Sequence, residues 1–117
     1  MADLPATELV VQVMSGPEDG RVVRLRYDDE AGKITSDGAW ELTLGRRDDC
    51  DIVLPYDTQI SRLHARLRYR RDSGWVLEDN GSRNGTFVDQ TRLERPLVVT
   101  PGMFFRLGRT WLRLEAL

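Results

Sequence analysis

One cysteine in 117 residues, Cys50, excludes an internal disulfide, and a single histidine excludes a zinc site of ordinary Cys/His spacing. Stability must then come from a hydrophobic core, and a chain of this length buries roughly two-thirds of the surface its unfolded form exposes. Long apolar runs are missing too. None approaches the ~20 residues that a membrane helix requires. The opening "MADLPATELV" places Asp3 and Glu8 where a secretion signal needs basic and then apolar residues. A soluble, reducing, cytoplasmic setting without membrane attachment is the expectation. A basic surplus is absent as well: the formal net charge is −2, which argues against general nucleic-acid binding. Lysine is nearly missing, since Lys33 alone of the 17 basic residues is not arginine. That bias has two readings, genomic base composition or anion recognition by planar guanidinium forks, and composition does not choose between them. No metal or cofactor is implied.

No stretch carries a convincing helical period. Short β-like runs recur instead, at 9–14, 21–27, 40–44, 51–54, 64–70, 74–79, 86–88, 97–99, 103–107 and 110–116, separated by glycine, proline and polar turns. In "HARLRYR" (64–70), Ala65, Leu67 and Tyr69 alternate with His64 and three arginines, the pattern of a half-buried antiparallel strand with a charged outer face. The acids of "DDE" (28–30) and "RRDDCD" (46–51) are the evident compensation for those arginines. The polar stretch 28–39 reads as a long loop or hairpin tip. About ten short strands spaced this way predict an all-β fold, a two-sheet antiparallel β-sandwich. "LGRR" (44–47) and "LGRT" (107–110) echo each other, but their sequels differ and the echo reads as coincidence.

Three loops remain: "GRRDDC", "SRLH" and "NGSRNGT". Loops distant in sequence can meet at one end of a sandwich. If these three meet, they gather Arg46, Ser61, Arg62, Arg83 and Asn84 with turn amides, an inventory of donors suited to a dianionic tetrahedral oxyanion such as a phosphoryl group. A plainer reading of Arg46 is an ion pair with Asp48, Asp49 or Asp51. Ser61 and His64 also raise a Ser–His nucleophilic pair. No Gly-x-Ser-x-Gly elbow is present and no acid is evident beside His64, so a structural histidine is the better reading.

Gly45-Arg46 after a strand, Ser61-Arg62-Leu63-His64, then Asn80 to Thr86, in this order and spacing, resemble the motif set of the forkhead-associated (FHA) domain. The resemblance spans roughly residues 9–115, with residues 1–8 as an N-terminal extension and 9–117 as the domain. It implies an eleven-stranded FHA/SMAD-like sandwich that is not an enzyme and binds a Thr-phosphorylated protein or peptide downstream of Ser/Thr kinases; FHA domains are known readers of phosphorylated motifs. By the same resemblance Arg46 and Ser61 contact phosphate, Arg62 assists, and Asn84 hydrogen-bonds the peptide backbone. Arg83 sits where many members place a threonine ligand. Gly45, His64, Asn80, Gly81 and Gly85 shape the loops, with Asn80-Gly81 in left-handed backbone and Ser82-Arg83 as the loop tip. A phosphate-independent FHA-type scaffold or oligomerisation domain is the alternative.

Overall fold

Side chains alternate across a strand, so a strand set between core and water buries every second residue. Thr110–Leu114 does this cleanly: Thr110, Leu112 and Leu114 are buried while Trp111 and Arg113 face outward. The computed structural model describes residues 8–115. It holds twelve strands: β1 (Glu8–Val13), β2 (Val22–Arg26), β3 (Lys33–Ile34), β4 (Trp40–Gly45), β5 (Ile52–Val53), β6 (Ala65–Arg70), β7 (Gly74–Asp79), β8 (Thr86–Val88), β9 (Thr91–Arg92), β10 (Leu97–Val99), β11 (Phe104–Leu107) and β12 (Thr110–Leu114). The expected extension, residues 1–8, lies outside the described residues except for Glu8, which opens β1.

Two sheets result, ordered β2-β1-β12-β11-β8-β9 and β10-β7-β6-β4-β3. Pairing is antiparallel except for β5, which runs parallel to the second half of β4 beyond the stretch that β3 occupies. The all-β sandwich is therefore observed, with two strands more than the ten runs legible in the sequence. Both additions, β3 and β9, are two residues long. The inner faces meet in a core of Trp40, Leu42, Leu44, Leu67 and Leu77 from one sheet against Leu9, Val11, Phe105, Leu107 and Leu112 from the other. Each such aliphatic or Phe side chain, fully buried, stabilises the fold by roughly 1.5–3 kcal/mol.

Segment 28–39 is more than a loop. Tyr27–Asp29 forms a 3-10 turn, β3 pairs with β4, and the Ala31 carbonyl accepts a 2.8 Å hydrogen bond from Trp40 Nε1. Gly32 N–H donates to Asp51. The segment thus caps the fully buried Trp40 ring. Compensation for the β6 arginines also lies elsewhere than the sequence suggested. Glu41, only 4% exposed, accepts from Arg68 Nε at 2.9 Å, with Lys33 Nζ at 3.5 Å and Arg66 Nε at 4.0 Å. Glu78 lies 3.5 Å from both Arg66 and Arg68, and Arg70 meets Asp37. The cross-strand register makes this ladder, since Glu41 stands opposite Arg68 and Arg66 opposite Glu78.

One buried carboxylate ties the loop before Ser61 to the β11–β12 hairpin. Asp57 Oδ2 accepts from Arg109 N and Thr110 Oγ1, both at 2.7 Å, and Oδ1 accepts from Gln59 N at 3.0 Å. Removing it strands those donors, so Asp57→Ala should lower unfolding free energy by roughly 2–4 kcal/mol. Urea melts check this, and a loss below about 0.5 kcal/mol would show the tie to be idle.

Candidate functional site

Three segments converge at one rim of the sandwich, and backbone hydrogen bonds hold them. Arg46 N–H donates to Ser61 O and Arg47 N–H to Arg62 O, both at 3.2 Å, while His64 N–H donates to Leu44 O at 2.9 Å. This approach needs a residue without a side chain at 45, since a Cβ there would lie 2.0 Å from Arg62 O. Gly45 therefore lets the end of β4 lie against the segment that carries Ser61 and Arg62.

His64, fully buried, joins that segment to the loop between β7 and β8. Its Nδ1 accepts from Ser61 N–H at 2.9 Å, which leaves the ring proton on Nε2 to donate to Gly85 O at 2.9 Å. Both ring nitrogens are thus committed to backbone, and Nδ1 meets the amide of Ser61 rather than its hydroxyl. An acid does stand beside it, contrary to the sequence reading: Asp79 Oδ1 lies 3.9 Å from Nε2. Burial pushes the His64 pKa below the ordinary histidine value and outweighs the opposing influence of the Gly85 carbonyl and of Asp79 and Asp57.

The double Asn-Gly loop, 80–85, is no hairpin: it carries the chain from β7 in one sheet to β8 in the other. Asp79 organises it. Its carboxylate accepts from Ser82 N at 2.9 Å, Ser82 Oγ at 2.5 Å and Thr86 Oγ1 at 2.6 Å. Burial pushes the Asp79 carboxyl up, yet these hydrogen bonds from Ser82 and Thr86 and the nearby His64 bring it below the usual range. Ser82 accordingly turns inward, at 9% exposure, and its Oγ accepts from Gly85 N–H at 2.9 Å. That corrects its placement at the tip. Arg83 and Asn84 are the exposed pair. Left-handed backbone falls on Gly81 and Gly85 and on neither asparagine. Asn80 instead donates its backbone N–H to His64 O at 2.8 Å, with its side chain 3.4 Å from Leu63 O.

The five residues picked out as an oxyanion set lie on these linked loops. Arg46 is half-buried, and its Nε donates to Ile60 O at 2.5 Å, leaving both Nη groups without a protein partner among the described residues. The neighbouring Asp49 pairs with Arg47, and Asp51 binds Thr43 and Gly32, so neither takes up Arg46. Ser61 Oγ accepts from Arg83 N–H at 3.1 Å, which aims its own proton away from that amide. Asn84 Nδ2 donates to Gln59 O at 2.8 Å, leaving its carbonyl oxygen for another donor. Arg62 is exposed. Sequence reasoning missed Asp57 and Asp79, whose roles depend on partners as many as 53 positions away, and Arg92, which folds over Gly85.

The fold and this rim describe a β-sandwich with a cluster of open donor groups on loops at one end. The chain belongs to the FHA domain family, whose model matches residues 42–108. It is 38% identical over 85 residues to the FHA domain-containing protein FhaB of Mycolicibacterium smegmatis, an alignment covering 73% of this chain and 54% of that protein. The chain spans about half the length of the curated relatives it matches. A structure solved for a structural and functional analysis of phosphothreonine-dependent FHA domain interactions superposes with a TM-score of 0.72 at 27% identity, covering 95% of this chain and 98% of that one. The FhaA FHA domain, solved in complex with the intracellular domain of Rv3910, gives 0.69 at 27% identity, over 92% and 99% of the two chains. Among the described residues no helix is long and apolar enough to cross a membrane.

The bridge at His64 has a pH signature. Folding holds the imidazole neutral with its pKa below 6.5, so the unfolded chain binds the proton first. Stability is full above about pH 6.5 and falls as pH drops from there toward the folded-state pKa, by at most about 1.4 kcal/mol per pH unit. No other histidine contributes in this window. Denaturant melts between pH 7.5 and about pH 5 should show the slope in wild type and lose it in His64→Gln; a flat wild-type profile would contradict the buried neutral bridge.

Proposed function

We propose that this domain binds threonine-phosphorylated segments of partner proteins, marked by a Ser/Thr kinase, and performs no catalysis. The observation that carries this reading is the Arg46 side chain, half-buried, held through Nε by the Ile60 carbonyl with its two Nη groups left open, while its backbone N–H donates to the Ser61 carbonyl. Holding the fork in place on folding removes rotamer entropy that binding would otherwise cost. Ser61 Oγ accepts from the Arg83 amide and keeps its proton for an anion. Arg62 and Arg83 add charge at the same loops, and Asn84 offers its carbonyl to the peptide backbone. A phosphothreonine brings about −1.5 to −2 charge and three tetrahedral acceptor oxygens. A carboxylate brings one charge and two coplanar oxygens, so it leaves donors unmatched.

Calorimetric titration of one peptide in phosphothreonine, phosphoserine, glutamate and unmodified forms tests the reading. Phosphothreonine should bind best, exceeding phosphoserine by roughly fourfold for the buried methyl alone. Arg46→Ala should cost about 2 kcal/mol of binding, or about thirtyfold, and Arg46→Lys should restore part of it because a point charge lacks the fork. Ser61→Ala should cost roughly 1.5–3 kcal/mol. A glutamate peptide binding as tightly as the phosphothreonine form, or indifference to phosphorylation, would overturn the reading in favour of a phosphate-independent scaffold.

A further inference from the structure

Most arginines on the strands meet carboxylates: Arg24 with Glu8, Arg66 and Arg68 with Glu41 and Glu78, Arg113 with Glu115. At the loop rim Arg47 pairs with Asp49. Arg92 is the case that the phosphate reading leaves unused. It lies on β9, opposite Phe87 of β8, and its side chain folds back over Gly85. A Cβ at position 85 would stand 2.7 Å from Arg92 Nε and 3.0 Å from Cζ, and the backbone there is left-handed at φ +88°, so a glycine suits both the turn and the seating of Arg92. Gly85 immediately follows Asn84. The guanidinium is exposed, and no described residue hydrogen-bonds or ion-pairs with it, although Asp89 and Glu94 are close in sequence and exposed. A cation is thus seated against backbone, beside the residue assigned to the peptide main chain, with its fork open to solvent.

We propose that Arg92 is a specificity-determining residue that selects phosphopeptides carrying a second anionic side chain within a few residues of the phosphothreonine. This rests on the phosphothreonine reading above and adds the chemistry of the flanking sequence. Neighbouring strands lie about 4.8 Å apart, so a peptide held along the start of β8 by Asn84 passes within side-chain reach of β9. An anion arriving there meets a guanidinium that no carboxylate among the described residues already pairs. Because the contact is exposed, its strength is modest and falls with salt.

The test walks a single Asp, against Asn at the same place, through each position flanking phosphothreonine, and reads the ratio of the two affinities. At one position wild type should favour Asp by about threefold to fivefold at low salt, with the ratio shrinking at high salt. Arg92→Gln should bring that ratio close to one, Arg92→Lys should keep part of it, and Arg109→Gln, on the other side of β8, should leave it intact. Repeating the best position with phosphoserine separates a carboxylate from a second phosphoryl group as the preferred anion; a preference for either supports the proposal. A ratio unchanged in Arg92→Gln, or no position with a gain, would overturn it while phosphothreonine dependence stood. Failure of every phosphorylated peptide to outbind its unmodified form would overturn both.

Discussion

A neutral imidazole holds the rim together. His64 accepts from the amide of Ser61 on one nitrogen and donates to the carbonyl of Gly85 on the other, so one buried ring fixes the distance between two loops that are 21 residues apart at that contact. A protonated ring would turn a donor toward a donor at Ser61 and break the first of these bonds. Everything the loops offer a ligand depends on that neutrality. Ser61 Oγ meets the Arg83 amide only because the backbones behind them are already tied.

The two sheets press on the same segment from either side. Gly45, ending β4, abuts the Arg62 carbonyl, and Gly108, after β11, abuts Ile60, Asp57 and Gln59. Asp57 closes the second contact by accepting from Arg109 and Thr110. Residues 57–62 are therefore held by backbone contacts, by the Asp57 carboxylate and by the Ile60 side chain in the core. The Ser61 hydroxyl proton and the exposed Arg62 side chain are not used in that anchoring, which suits a site that needs fixed donors. Carboxylates neutralise most of the arginines along the strands and Arg47 at the rim, while Arg46 keeps its two Nη groups open.

Much of this was legible because alternation is local. Leu67 and Leu77 face the core for the reason their sequence neighbours face water, and β7 and β8 follow the runs 74–79 and 86–88. β3 and β9 are two residues long and exposed, so neither a period nor an apolar run such as that of β5 marked them, and with β9 went the neighbourhood of Arg92. Donors at the rim could be picked out by type, but their arrangement depends on contacts across sheets. Ser82 looked like a loop tip because serine favours exposed turns; Asp79 turns it inward. The echo of "LGRR" and "LGRT" looked accidental because sequence cannot show that both glycines close on one segment. Glu41 was overlooked because a single glutamate on a strand gives no sign of the arginines opposite it.

The central claim is that the preformed rim, and not a sheet face, is where the partner binds. Amide and arginine Nε resonances followed during titration with a phosphothreonine peptide test it directly. The account predicts that the amides of Ser61, Arg62, Arg83 and Asn84 and the Nε–H of Arg46 shift most, while the His64 Nε2–H signal persists through saturation. The largest shifts falling instead on the outer face of the first sheet, around Phe87, Arg106 and Trp111, where the Arg106 guanidinium lies 4.2 Å from the Phe87 ring centre, would contradict it.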